Sequence, residues 1–123
     1  MRTSKPTQPF GRYGEELART YLESANYKII TTNWRCSLGE IDIIAQKDNT
    51  LIFVEVRSRH AETTESSFES VNKRKQTKLA TLANAYINTY NLDEMVWRID
   101  VIGVAIPHNG RAIIEHIEDA LGW

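Results

Sequence analysis

Cysteine is nearly absent: Cys36 is the only one in 123 residues. A lone thiol excludes an internal disulfide, and a thiolate metal site would need partners the chain does not carry. A structural Cys36 in a reducing, cytoplasmic setting is the expectation. Long apolar runs are missing too, none approaching the roughly 20 residues that a spanning helix needs, so no membrane partner is expected. The opening MRTSKPTQPF has two basic residues and two prolines but lacks the apolar middle of a secretory signal. Residues 1–10 read as a flexible arm and 11–123 as a single domain. Excess charge is also lacking. The net charge is −1, so bulk electrostatics does not send the chain to a polyanion and local clusters must decide.

What the chain does have is enough apolar content, 41%, for one core with elements on both sides of a sheet. Gly11 to Ala25 reads as a helix, with Gly14, Ala18, Tyr21, Leu22 and Ala25 recurring on one face. Glu16 lies opposite that face, while Glu15 shares the lengthwise row of Ala18 and Leu22 and can reach inward. Asn26 supplies a stop. Tyr27 to Arg35, Glu40 to Gln46 and Leu51 to Arg57 read as strands, the last two joined by Lys47-Asp48-Asn49-Thr50 in a hairpin. Thr63 to Ser70 is polar and loop-like. A second helix is predicted from Val71 to about Tyr90, then strands at Trp97 to Ile106 and Arg111 to Ile117 around Pro107-His108-Asn109-Gly110. The order is helix, three strands, helix, two strands, a mixed sheet flanked by helices.

A symmetric turn between Asp48 and Asn49 pairs Ala45 with Ile52, Ile43 with Val54 and Ile41 with Val56, an apolar face that predicts core. The other face pairs Ile44 with Phe53, Asp42 with Glu55 and Glu40 with Arg57. Directly opposed side chains have Cβ atoms roughly 4.5–5.5 Å apart, where two carboxylates repel unless one is protonated or a positive group sits between them. A hard cation removes that penalty. With oxygen ligands and neither paired histidine nor cysteine nearby, Mg²⁺ or Mn²⁺ is favoured over Zn²⁺. The alternatives are a carboxylate paired with Arg57 or Arg98, or an odd-numbered turn that separates the two acids.

Between Val71 and Leu79 there are four basic residues, Lys73, Arg74, Lys75 and Lys78, and no acidic one, with Arg57 and Arg59 upstream. Lys75 falls in the second helix's apolar row and the other three fall off it. A lysine facing a core has either a task or a short route to solvent from the helix's first turns. Lys73, Arg74 and Lys78, like Arg59, read as nucleic-acid contacts or as a solvated surface.

GRYGEELA (Gly11 to Ala18), NWRCSLGEIDIIA (Asn33 to Ala45), LIFVEVRSR (Leu51 to Arg59), VNKRKQTKL (Val71 to Leu79) and RIDVIGV (Arg98 to Val104) occur in the order and spacing of the UPF0102, or YraN-like, family, which the chain resembles over nearly its whole length. That family is similar to the PD-(D/E)XK nucleases and to archaeal Holliday-junction resolvases. The resemblance implies an α/β, restriction-endonuclease-like αβββαβ core, here with an extra C-terminal strand. By position it places Glu15 as the first-helix glutamate, Asp42 as the metal-binding aspartate and Glu55 as the acid of the E-x-K element. Arg57 stands where that element has lysine. A guanidinium stays protonated and cannot take a proton from water, though it can hold a phosphate or stabilise its developing charge. Lys75 is the candidate for a relocated lysine. Asp100 matches an aspartate of the late strand; a salt bridge with Arg98 or a basic helix residue competes there with a metal role.

The function expected on these grounds is Mg²⁺- or Mn²⁺-dependent hydrolysis of phosphodiester bonds in nucleic acid, with Asp42 and Glu55 as direct metal ligands, Glu15 binding the metal or a metal-bound water, and structured or branched DNA as the substrate that the resemblance implies. Resolvase-like cutting would need two active sites, hence a homodimer. A catalytically inactive nucleic-acid-binding module and a protein-interaction domain are the competing readings.

Overall fold

The computed structural model describes residues 9–121, and the rest of the predicted N-terminal arm, residues 1–8, lies outside them. Pro9 and Phe10 already belong to the first helix. The elements are α1 (Pro9–Ser24), β1 (Lys28–Cys36), β2 (Gly39–Lys47), β3 (Thr50–Arg59), α2 (Glu65–Glu69), α3 (Lys73–Thr89), β4 (Val96–Ala105) and β5 (Ile113–Ile117). They make one five-stranded sheet in the order β1-β2-β3-β4-β5, antiparallel except for the β3–β4 pair. This is the αβββαβ arrangement with an added C-terminal strand.

Asparagine and aspartate set most of the corners, because their short polar side chains tolerate left-handed backbone. Asn26 ends α1 at φ 71°, with the Tyr27 N–H bonded to the Leu22 carbonyl at 2.9 Å. Asn91 does the same after α3, where the Leu92 N–H reaches the Ile87 carbonyl at 2.9 Å. Both are the six-to-one closure of a Schellman cap. Asp48 and Asn49 both have positive φ, 51° and 62°, which the two-residue hairpin turn requires. The register is the predicted one: Gln46 faces Leu51, Ala45 faces Ile52, and Ile43 faces Val54. At its start α3 is capped by Asn72, whose side chain accepts the Lys75 N–H, so the helix begins two residues later than the apolar spacing from Val71 suggested.

Each face of the sheet buries its own cluster. Ala18 and Leu22 of α1 cover Ile43, Ile52, Val54 and Ile102 on one side. Leu79, Leu82 and Tyr86 of α3 cover Ile44, Phe53 and Val101 on the other. Gly14 brings α1 close to β3, since a Cβ there would collide with Ser58.

Three local expectations are corrected. Ile41 lies in the α3-side cluster with Ile44, not on the Ile43 face. β1 turns over at Asn33, whose φ is 53°; Trp34 packs on the α3 side as a result, and its strand partner Ile41 follows it. Secondly, the segment read as loop contains α2. Its Phe68 packs on the α3-side core and over Gly103, where a Cβ would meet the ring at 3.0 Å, a tertiary contact that polar composition does not announce. Thirdly, the β2–β3 ladder runs from Lys47 and Thr50 to Ile43 and Val54 and stops. Beyond that point β2 continues along β1 as far as Gly39, and β3 continues along β4 as far as Arg59. The two strands fork, so Asp42 and Glu55 are not a cross-strand pair. They face each other at the mouth of the fork.

Candidate active site

The fork opens into a pocket of about 370 Å³. It is lined by Glu15 from α1, Asp42 from β2, Glu55 and Arg57 from β3, and Lys75 and Lys78 from α3. Six side chains singled out from the sequence thus meet in one place, carried by α1, α3 and both arms of the fork.

At the apex, the Val56 N–H donates to Asp42 Oδ2 at 2.8 Å in place of a β2 carbonyl. Burial, together with the Glu55, Glu15 and Glu40 carboxylates, pushes the Asp42 carboxyl well above the ordinary carboxylate range, against the opposing pull of that hydrogen bond. Glu55 is 4% exposed, yet two cations reach the same oxygen: Arg57 Nη1 lies 3.1 Å and Lys75 Nζ 3.4 Å from Glu55 Oε2. Lys75 therefore faces inward, as its place in the helix row indicated. Arg57 is fixed from behind, its Nε donating to Ser70 Oγ at 2.8 Å while that hydroxyl donates to the Ser67 carbonyl at 2.6 Å. The segment around α2 thereby orients the guanidinium.

Sequence reasoning missed the opposite wall. Asn33 Nδ2 donates to Glu15 Oε1 at 3.2 Å and to Glu40 Oε2 at 2.8 Å, tying α1 to β2 across the lip. Arg35 Nε lies 3.3 Å from Glu40 Oε1. The signal was local, since an asparagine inside a β-branched run is a candidate for left-handed backbone.

Of the other predicted contacts, Arg74 lines a neighbouring hollow of about 570 Å³ with Asn72, Lys75 and Lys78, and Arg59 lines another with Arg57. Lys73 is exposed at the first residue of α3 and lines neither. Asp100 is not in the pocket. It is fully buried on the α1 side of the sheet, where Arg98 Nε donates to it at 2.9 Å and His116 Nε2 lies 2.7 Å away. Its salt-bridge reading is the one borne out.

The donor set fits a hard divalent cation. Among the described residues no three histidine, cysteine, aspartate or glutamate side chains are arranged to enclose an ion, but Mg²⁺ keeps several waters and is held by one or two carboxylates. Asp42 and Glu55 would be such a pair, and a cation would relieve the Glu55 repulsion that adds to burial in raising the Asp42 carboxyl. Four acidic and four basic side chains line the pocket (Glu15, Glu40, Asp42, Glu55; Arg35, Arg57, Lys75, Lys78). A bound dication therefore leaves the site positive, suited to an anion.

No helix of the described residues is long and apolar enough to cross a membrane. The profile described as "Uncharacterised protein family UPF0102" matches residues 14–104. A UPF0102 protein of Chloroflexus aurantiacus is 39% identical over 119 residues, covering 95% of this chain and 96% of its own. One from Syntrophus aciditrophicus is 40% identical over 110 residues, 89% of this chain and 86% of its own. One from Clostridium acetobutylicum is 41% identical over 111 residues, 89% and 91% of the two chains. With the motif order, the αβββαβ fold and these relatives in agreement, the chain belongs to the UPF0102 family.

Proposed function

We propose that this protein is a Mg²⁺- or Mn²⁺-dependent endonuclease that hydrolyses phosphodiester bonds in nucleic acid, with structured or branched DNA as its substrate. The observation that carries the reading is the convergence at the fork: a raised Asp42 carboxyl, a buried Glu55, and a lysine and an arginine both resting on Glu55 Oε2.

Asp42 and Glu55 would hold the cation. When bound, it supplies Lewis-acid polarisation of the phosphate and lowers the pKa of the attacking water. Glu15, held by Asn33, faces the same pocket and would bind the metal or a water on it. In the reaction a water oxygen bonds to phosphorus and gives up a proton to solvent, the ester P–O bond breaks, and the departing oxygen takes up a proton from solvent. Lys75 Nζ orients the water or the phosphate from α3, the part played by lysine in the E-x-K element. Arg57 cannot act as a base, and it stabilises charge developing on the phosphate oxygens. Arg74 and Lys78 hold the flanking strand.

The test is cleavage of single-stranded and branched DNA with Mg²⁺ or Mn²⁺. Cutting is expected from the full chain, with loss in Glu55→Ala and in Lys75→Met. Full cleavage by Lys75→Met removes the relocated-lysine assignment. Salt-sensitive binding without cutting under either metal removes the nuclease and leaves a binding module, the reading that Arg57 favours.

A further inference from the structure

On its α1 side the pocket adjoins a smaller hollow of about 210 Å³ that shares Gly11, Glu15, Val56 and Arg57 with it and adds Phe10, Ser58 and Arg59. Two of the added side chains have no evident task inside the fold. Phe10 is half-buried but belongs to neither core cluster. Its ring instead stacks on exposed His60, with centroids 3.9 Å apart and planes inclined by 25°. The Arg59 guanidinium donates to the carbonyl of its neighbour Ser58 at 2.9 Å and has no carboxylate partner among the described residues.

Burying an aromatic ring in a core is favourable, whereas a ring at a pocket wall braced by a second ring presents a stacking surface. Stacking on aromatic side chains is how proteins hold nucleobases whose faces are uncovered, and arginine beside such a ring takes the phosphate. A paired base inside a duplex has both faces covered by its neighbours and cannot use the ring. The hollow's size suits one base and excludes a stacked pair of them.

We infer that the Phe10–Arg59 hollow is a subsite for an unpaired nucleotide next to the scissile phosphate, with its base on the Phe10 ring and its phosphate against Arg59. The inference rests on the nuclease reading for what occupies the adjoining pocket, and it narrows the substrate to a strand that is unpaired beside the cut. Arg57, shared by both hollows, spans from one phosphate position to the next.

The experiment titrates a single-stranded oligodeoxynucleotide carrying 2-aminopurine into the full chain with Glu55→Ala, so that binding is read without cutting. Fluorescence quenching on binding is expected. Adding Phe10→Leu weakens single-strand binding about tenfold, Phe10→Tyr restores it by restoring the ring, and Arg59→Gln lowers the slope of log affinity against log salt by about one. Binding of a fully paired duplex is indifferent to Phe10. Equal single-strand affinity in Phe10→Leu, or equal losses for paired and unpaired DNA, overturns the subsite. Phe10-dependent quenching in a protein that never cuts keeps the subsite and removes the nuclease reading. Cutting by the unmutated chain, with affinity indifferent to Phe10, does the reverse.

Discussion

Asp100 offers the sharpest separation of a structural carboxylate from a catalytic one. It is fully buried and accepts from Arg98 Nε at 2.9 Å, Arg98 Nη2 at 3.2 Å, His116 Nε2 at 2.7 Å and the Asp119 N–H at 3.0 Å. His116 passes the chain on to Tyr21, whose hydroxyl is 3.0 Å from Nδ1. The network therefore fastens β4, α1 and the segment after β5 together. Asp100→Ala strands the Arg98 charge and leaves the Asp119 N–H without its acceptor. Removing one partner of a buried pair costs about 3–5 kcal/mol. The Arg98 side chain is a quarter exposed and has Glu118 at 3.8 Å, so the lower end, about 3 kcal/mol, applies. For a chain of this length that lowers the melting temperature by roughly 12 °C. Burial pushes the Asp100 carboxyl up, but the hydrogen bonds from His116, Arg98 and the Asp119 N–H outweigh it, and the carboxyl lies below its ordinary value. Because the folded pKa is depressed, the stabilisation is complete above the unfolded aspartate value of about 3.9 and disappears as pH falls through the folded one. Thermal melts by circular dichroism should show a wide gap between the two proteins at pH 7 that narrows below about pH 4. A loss under about 1 kcal/mol would refute this reading. So would a fall in Mn²⁺ affinity at temperatures where the variant is still folded.

Asp42→Asn should raise the melting temperature of the metal-free protein at neutral and higher pH, because a carboxyl whose folded pKa is raised costs stability as pH rises and it ionises; the same change should abolish Mn²⁺ binding, measured by calorimetry. In the unmutated protein Mn²⁺ should release protons on binding wherever the raised Asp42 carboxyl is still protonated, so that affinity rises with pH through that group's titration; the release is detected as a binding enthalpy that varies with the buffer's ionisation enthalpy. At Asn33, alanine should cost about 1 kcal/mol in urea unfolding because φ is 53°, while glycine should not. Both substitutions release Glu15 from Glu40, so a loss of cleavage shared by the two, with stability lost only in the alanine variant, assigns Asn33 to positioning. Equal stability of the two variants contradicts the strain argument.

The hairpin and its register were legible because Asp48-Asn49 is strong two-residue turn chemistry, and the symmetric register that such a turn sets pairs apolar residues from Ala45 to Ile43. The nearness of Asp42 to Glu55 was legible for the same reason, although its form was not. Side-chain alternation assumes that a ladder continues, and the ladder gives way where Asp42 takes the Val56 N–H for itself. Lys75 could be assigned to the inner face from helical spacing alone, since that depends only on neighbours three and four residues away. Asn33, Glu40 and Ser70 escaped because each acts through a partner distant in sequence or through backbone that departs from its strand. At Asp100 the sequence is compatible with two roles, and what decides between them is His116 and Asp119, whose return to β4 no local pattern announces.

The central claim is that Asp42 and Glu55 hold a divalent cation at the mouth of the strand fork. A crystal soaked in Mn²⁺ and measured at the manganese absorption edge tests it directly. An anomalous peak bonded to oxygens of both side chains is expected, and it should be lost in Asp42→Asn crystals. A peak elsewhere, or no peak while Lys75 and Arg57 keep their contacts with Glu55, contradicts it.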